Sequence, residues 1–139
     1  MGGNISFFSE EITFQLENEL KTREWVLQTI IKENKTLGEI NYIFCSDDYL
    51  HKMNVEHLNH DTFTDIITFN YCAGDIISSD IFISIDRVKE NADTFQASFG
   101  NELKRVMIHG VLHLLGYDDK TEEDKETMRA KEDFYLNLQ

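Results

Sequence analysis

The chain has 139 residues, with 26 acidic against 13 basic side chains for a net charge of −13, no proline and two cysteines. At about 100 to 200 residues per domain this is one domain, residues 1–139, able to bury about two thirds of its unfolded surface in a single core. With 41% apolar and 28% charged residues it is neither disordered nor collagen-like, and its acidity argues against a binder that blankets nucleic-acid phosphates, though a local basic cleft remains compatible with it.

In chain order, residues 5–8 and 12–16 read as short strands. Residues 23–34 place Trp25, Val26, Thr29 and Ile30 at helical spacing, and Lys35, Gly38 and their polar neighbours break that pattern. Residues 40–45 alternate as a strand. Ser46 followed by Asp47 and Asp48 resembles a helix start, with acids well placed against the dipole, and that helix carries Leu50, Met53 and His57. Residues 65–69 and 80–85, rich in Ile, Thr and Phe, suit two paired strands around a polar turn with Gly74 and Ser78-Ser79. From Asp86 onward the pattern is helical: one helix to about residue 97, a second over about 101–115, and a third after Thr121, which forms an approximate capping box with Asp124. This order predicts an α/β (α+β) fold with one small, mixed, mostly parallel sheet covered by helices.

No apolar run reaches the roughly 18 residues of a membrane span, and no basic start precedes an apolar stretch at the N-terminus, so a cytoplasmic chain without membrane attachment is expected. Met1-Gly2 with Ser6 fits the bare myristoylation pattern, but no polybasic segment follows to assist a single acyl chain. Cys45 and Cys72 form no C-x-x-C pattern and read as packing residues.

Residues 106–115 are apolar on nearly every face except at His109 and His113, so this helix is expected to be buried. Two histidines four residues apart share one side of a helix, and two imidazoles there can converge on one cation; burying both without a partner would strand ring nitrogens. Gly110 costs a helix about 1 kcal/mol relative to Ala, so something is expected to approach the backbone closely there. Gly116 can end the helix in the left-handed conformation and return the chain, bringing Asp118 or Asp119 to the histidines as a third ligand. The pattern H-x-x-x-H-x-x-G-x-x-D supplies two nitrogens and one carboxylate and leaves a fourth position open to water, which distinguishes a catalytic zinc site from a closed structural one. Without thiolates, zinc suits the set best, and manganese, iron or nickel would also bind.

The stretch His109-Gly110-Val111-Leu112-His113-Leu114-Leu115-Gly116-Tyr117-Asp118-Asp119 closely resembles the H-G-x-L-H-L-x-G-Y-D-H signature of the YbeY family, metal-dependent endoribonucleases of bacterial ribosomal RNA maturation. Leu58-Asn59 followed by Thr64-Asp65-Ile66-Ile67-Thr68-Phe69 is similar to that family's L-N and T-D-V-L-S-F block. Ser79-Asp80-Ile81 resembles its G-D-I strand, and Met128 with Glu132 its M-x-x-x-E. The resemblance implies one zinc ion on His109, His113 and Asp119, and cleavage of single-stranded RNA in 16S 3′ end maturation and ribosome quality control. It also implies ribosomal RNA as partner, with ribosomal proteins or an assembly GTPase as further ones. Asp119 stands where the family usually has His, and His60-Asp61-Thr62-Phe63 lacks the Arg the family normally places between its L-N and T-D elements.

Two other readings share these residues. Metzincin peptidases have similar spacing but carry a general-base Glu beside the first His, where this chain has Gly110. A ribosome-assembly factor could use the ion only to pin the helix. Asn59 and Asp65 read as turn residues or as groups orienting a substrate. Glu102 reads as a solvated first-turn acid or as a support for the ion site, and the acids from Glu122 to Asp133 as a solvated face.

Overall fold

The computed structural model describes residues 3–58 and 64–138. Its elements are β1 (Asn4–Glu10), α1 (Glu19–Lys32), β2 (Thr36–Cys45), α2 (Asp47–Leu58), β3 (Ile66–Asn70), β4 (Ile76–Ser84), α3 (Ile85–Thr94), α4 (Phe99–Leu114) and α5 (Glu122–Leu136). The sheet runs β1-β2-β4-β3, with β1, β2 and β4 parallel and β3 antiparallel to β4. It is mixed and mostly parallel, as the order of patterns predicts. The central strands read as apolar runs because helices cover them: Ile40, Tyr42, Phe44, Ile77, Ile81 and Ile83 are all buried.

Two local expectations differ. Among the described residues, 12–16 form no strand. Glu11 and Asn18 turn the chain through positive φ (59° and 55°) at either end, while Leu16 is buried and Phe14 packs on the core. The apolar alternation there serves a packed connection. Residues 76–79 belong to β4 and not to the turn, with Ser79 buried opposite Ile40 of β2. Cys45 is buried, which pushes its thiol up to about 12; Cys72 is partly buried, and both are free.

Helix α4 begins at Ser98, whose hydroxyl accepts from the Asn101 amide at 3.1 Å. Met107, Ile108, Val111 and Leu112 are fully buried. A Cβ on Gly110 would lie 2.9 Å from Ile66 Cδ1 and 3.3 Å from Thr68 Cγ2, so the close approach expected there is that of strand β3. The helix ends at Gly116, φ 108°: its amide donates to the His113 carbonyl and the Tyr117 amide to that of Leu112, each at 3.1 Å, the paired bonds of a Schellman motif. Helix α5 has the full capping box, with Thr121 Oγ1 accepting from the Asp124 amide at 3.0 Å and Asp124 Oδ2 from the Thr121 amide at 3.3 Å. Among the described residues no helix is long and apolar enough to cross a membrane.

An L residue at position 116 must adopt a conformation it disfavours by about 1–2 kcal/mol. Gly116→Ala is expected to lower unfolding stability by that amount in urea titration, and an unchanged midpoint would show that the turn relaxes freely.

Candidate metal centre

Helix α4 lies across the sheet with its polar side opening onto a cavity of about 270 Å³, where His109, His113 and Asp119 all meet together with Asp65, Thr64 and Thr68. The two histidines share a face as their spacing predicts. Their burial differs from the expectation: the His109 side chain is 28% exposed, and His113, near the end of the helix, is exposed. Asp119, and not Asp118, lines the cavity, with Oδ2 3.5 Å from His109 Nε2. Asn59 and His60 lie outside the described residues. Lys120 is exposed.

Each imidazole is held by its other nitrogen. His109 Nδ1 lies 2.7 Å from Glu132 Oε2, and His113 Nδ1 lies 3.1 Å from the Tyr117 carbonyl oxygen. A carboxylate and a carbonyl only accept, so in both neutral rings the proton sits on Nδ1 and the lone pair on Nε2. Glu132 is itself fixed: Arg105 donates to Oε1 at 2.8 Å and to Asp133 at 2.7 Å. The Glu132 side chain is only 7% exposed, so this acid is no part of a solvated face. The alternation of acids with Lys and Arg along α5 conceals it. Two sequence signals mark it: the M-x-x-x-E resemblance of Met128 with Glu132, and the helical spacing of Met128, Glu132 and Tyr135, the buried residues of α5.

The hydrogen bond to Glu132 raises the pKa of His109 above its ordinary value; burial opposes the shift but does not cancel it, and the charges of Glu132, Asp119 and Asp65 add to it. Burial raises Asp65, against the lowering influence of His109, and Asp65 Oδ2 accepts from Asn91 Nδ2 at 3.2 Å. Glu102 is buried and burial raises its pKa, so it is not a solvated first-turn acid. Among the described residues no three His, Cys, Asp or Glu side chains close into a coordination shell. The donor set still has the chemistry of one, with two imidazoles locked in the ligand tautomer and a carboxylate beside the first.

A mixed α/β domain with a histidine and carboxylate pocket against its sheet is the class that fold and site define. Residues 4–138 match the family model described as endoribonuclease YbeY. The chain is 56% identical over 126 residues to the endoribonuclease YbeY of Flavobacterium johnsoniae, covering 91% of each, and 52% identical to that of Christiangramia forsetii, covering 98% of this chain and 94% of the relative. The solution structure of the Thermotoga maritima protein TM1509 is also similar, with a TM-score of 0.70 at 28% identity, over 96% of this chain and 87% of that one. The chain belongs to the YbeY endoribonuclease family. These relatives favour neither the peptidase nor the non-catalytic assembly-factor reading.

Without an ion, folding favours protonated His109. That contribution to stability is complete below about pH 6.5, the ordinary histidine value, and is lost as pH rises through the elevated folded value. Glu132→Gln should flatten this dependence and, by leaving Arg105 short of one partner, destabilise the fold by about 3 kcal/mol. Urea unfolding in chelator from about pH 5 to about pH 9 checks both; an unaltered pH profile would mean that Glu132 does not set the His109 proton.

Proposed function

We propose that the chain is a zinc-dependent, single-strand-specific endoribonuclease of ribosomal RNA maturation in the cytoplasm, with one ion held by His109, His113 and Asp119. The carrying observation is the 3.5 Å between His109 Nε2 and Asp119 Oδ2. Two ligands on a tetrahedral zinc, each bonded at about 2.0 Å, lie about 3.3 Å apart, so the two atoms stand near the separation that a shared ion requires. Supporting it, both imidazoles in their neutral form present the Nε2 lone pair, one through Glu132 and the other through the Tyr117 carbonyl.

A bound ion would supply Lewis acidity to a phosphoryl oxygen and acidify water in the pocket. The rest falls to the chain. Glu132 keeps His109 oriented, the carbonyl of Tyr117 does so for His113, and Asp65, whose proton affinity burial raises, is the carboxylate positioned to accept a proton from the attacking oxygen. The family's name supports RNA as substrate. A second cavity, of about 680 Å³, shares His109 and Asp119; Lys125 and Arg129, cations suited to phosphates, border it beside the acids Glu126, Glu132 and Asp133.

Because His113 is exposed, His113→Ala tests the ion without opening the core. Cleavage of a single-stranded RNA is expected to fall at least about 100-fold with the melting temperature of the chelated protein unchanged. A chelator should abolish wild-type cleavage and added zinc restore it, whereas chelator-resistant cleavage would overturn the reading. Asp65→Asn is expected to lower kcat by about 10²- to 10⁴-fold while zinc affinity stays within a few-fold of wild type. An unaffected kcat would remove Asp65 from the proton transfer.

A further inference from the structure

Glu33 follows directly on α1, where a carboxylate faces the negative end of the helix dipole and is disfavoured. It is nevertheless held there, with its side chain only 14% exposed, because three donors reach it from distant parts of the chain. Tyr117 Oη donates to Oε1 at 2.7 Å, while Lys131 Nζ (3.2 Å) and Tyr135 Oη donate to Oε2. Burial acts to raise its pKa, and the hydrogen bonds from Tyr135, Tyr117 and Lys131 more than reverse this, so the carboxyl is held below its ordinary value. The Lys131 ammonium also lies 5.4 Å from the centre of the Tyr117 ring. The end of α1, the inner face of α5 and the turn after α4 therefore meet on one carboxylate.

The turn held in this way is the one that builds the pocket. Tyr117 is fastened at three points: its amide to the Leu112 carbonyl, its hydroxyl to Glu33, and its carbonyl to His113 Nδ1. Asp119 follows two residues later, and the intervening Asp118 side chain is exposed. One phenol hydroxyl thus ties down the residue whose carbonyl meets His113 and which stands two before Asp119.

We propose that Glu33 is a positioning residue for the ion site, acting through Tyr117 on His113 and Asp119; this rests on the reading of His109, His113 and Asp119 as ligands. Glu33 touches none of the three, so its removal should alter the site's affinity for an ion and not the identity of the ligands.

The test compares Co²⁺ affinity, by competition with a chromophoric chelator, and the visible Co²⁺ spectrum in the whole chain and in Glu33→Gln, Tyr117→Phe and Ile30→Val. Ile30 is buried in α1 and takes no part in the hydrogen bonds to the Glu33 side chain, so Ile30→Val removes core packing from the same helix and leaves those bonds in place. Glu33→Gln and Tyr117→Phe are expected to weaken Co²⁺ binding about tenfold and to change the spectrum at a temperature where circular dichroism shows both folded. Ile30→Val should lower the melting temperature and leave affinity and spectrum as in wild type. If Glu33→Gln does not fold, Tyr117→Phe, which deletes one hydroxyl from a half-buried ring, decides the matter alone. Wild-type affinity in Tyr117→Phe, or an equal loss of affinity in Ile30→Val, overturns the positioning role while leaving the ion reading intact. A wild-type chain that binds no Co²⁺ and no Zn²⁺ removes both.

Discussion

Glu132 carries its charge almost out of reach of water, and a buried carboxylate persists as an anion only where donors or cations meet its oxygens. Arg105 reaches one oxygen and His109 the other. Those two residues are four apart on α4, so a single face of that helix answers a single acid of α5. The position of α5 against α4, the tautomer of His109 and the direction of its Nε2 all follow from this contact. Tyr135, one turn further along α5, adds a backbone carbonyl that accepts the Trp25 indole proton at 2.8 Å and so ties α1 to the same framework.

The second imidazole is served by a different part of the molecule. His113 depends on a carbonyl in the turn after Gly116, and that turn is tied to the Glu33 cluster. The pocket is thus a junction between two separately braced pieces, a helix held by α5 and a turn held by α1 and α5. Its walls carry Asp65 and Asp119, with Glu132 behind His109, on a chain already at −13. A phosphate approaching such a pocket meets repulsion from the carboxylates. On the proposed reading, a divalent ion offsets the two wall carboxylates and presents a cation to a phosphoryl oxygen, so substrate affinity and catalytic competence arrive together with the ion.

The mixed, mostly parallel sheet and the helices α3, α4 and α5 were legible because each rests on a periodic apolar pattern, whereas the strand order β1-β2-β4-β3 is set by the tertiary fold. Ser98, Thr121 and Gly116 sit where α4 and α5 begin or end. The two histidines were legible because a helical repeat puts them on one face; the glycine stop left Asp118 and Asp119 both open, and the family resemblance chose Asp119, the one that lines the cavity. Residues 12–16 misled because alternation reports burial, and a connection pinned between two positive-φ residues can be buried without pairing to a strand. Glu33 and Glu132 were hidden for the opposite reason. An acid among lysines and arginines looks solvated, and only the tertiary approach of α1, α4 and α5 reveals that each is surrounded by donors.

Gly110 bears directly on which chemistry the site can perform. In the metzincin arrangement the residue after the first histidine is the glutamate that takes the proton from water. At this position a Cβ alone would come within 2.9 Å of Ile66 and 3.3 Å of Thr68, because α4 is pressed onto β3. A glutamate there would press on the side chains of Ile66 and Thr68 that line one wall of the cavity. The close packing that seats both imidazoles over the sheet therefore removes the position a peptidase uses for its base. On the proposed reading proton transfer falls to a group across the pocket, and Asp65, just ahead of β3, is the half-buried carboxylate on that side. Gly110, which lets α4 sit close on β3, thus stands where the metzincin arrangement has its base.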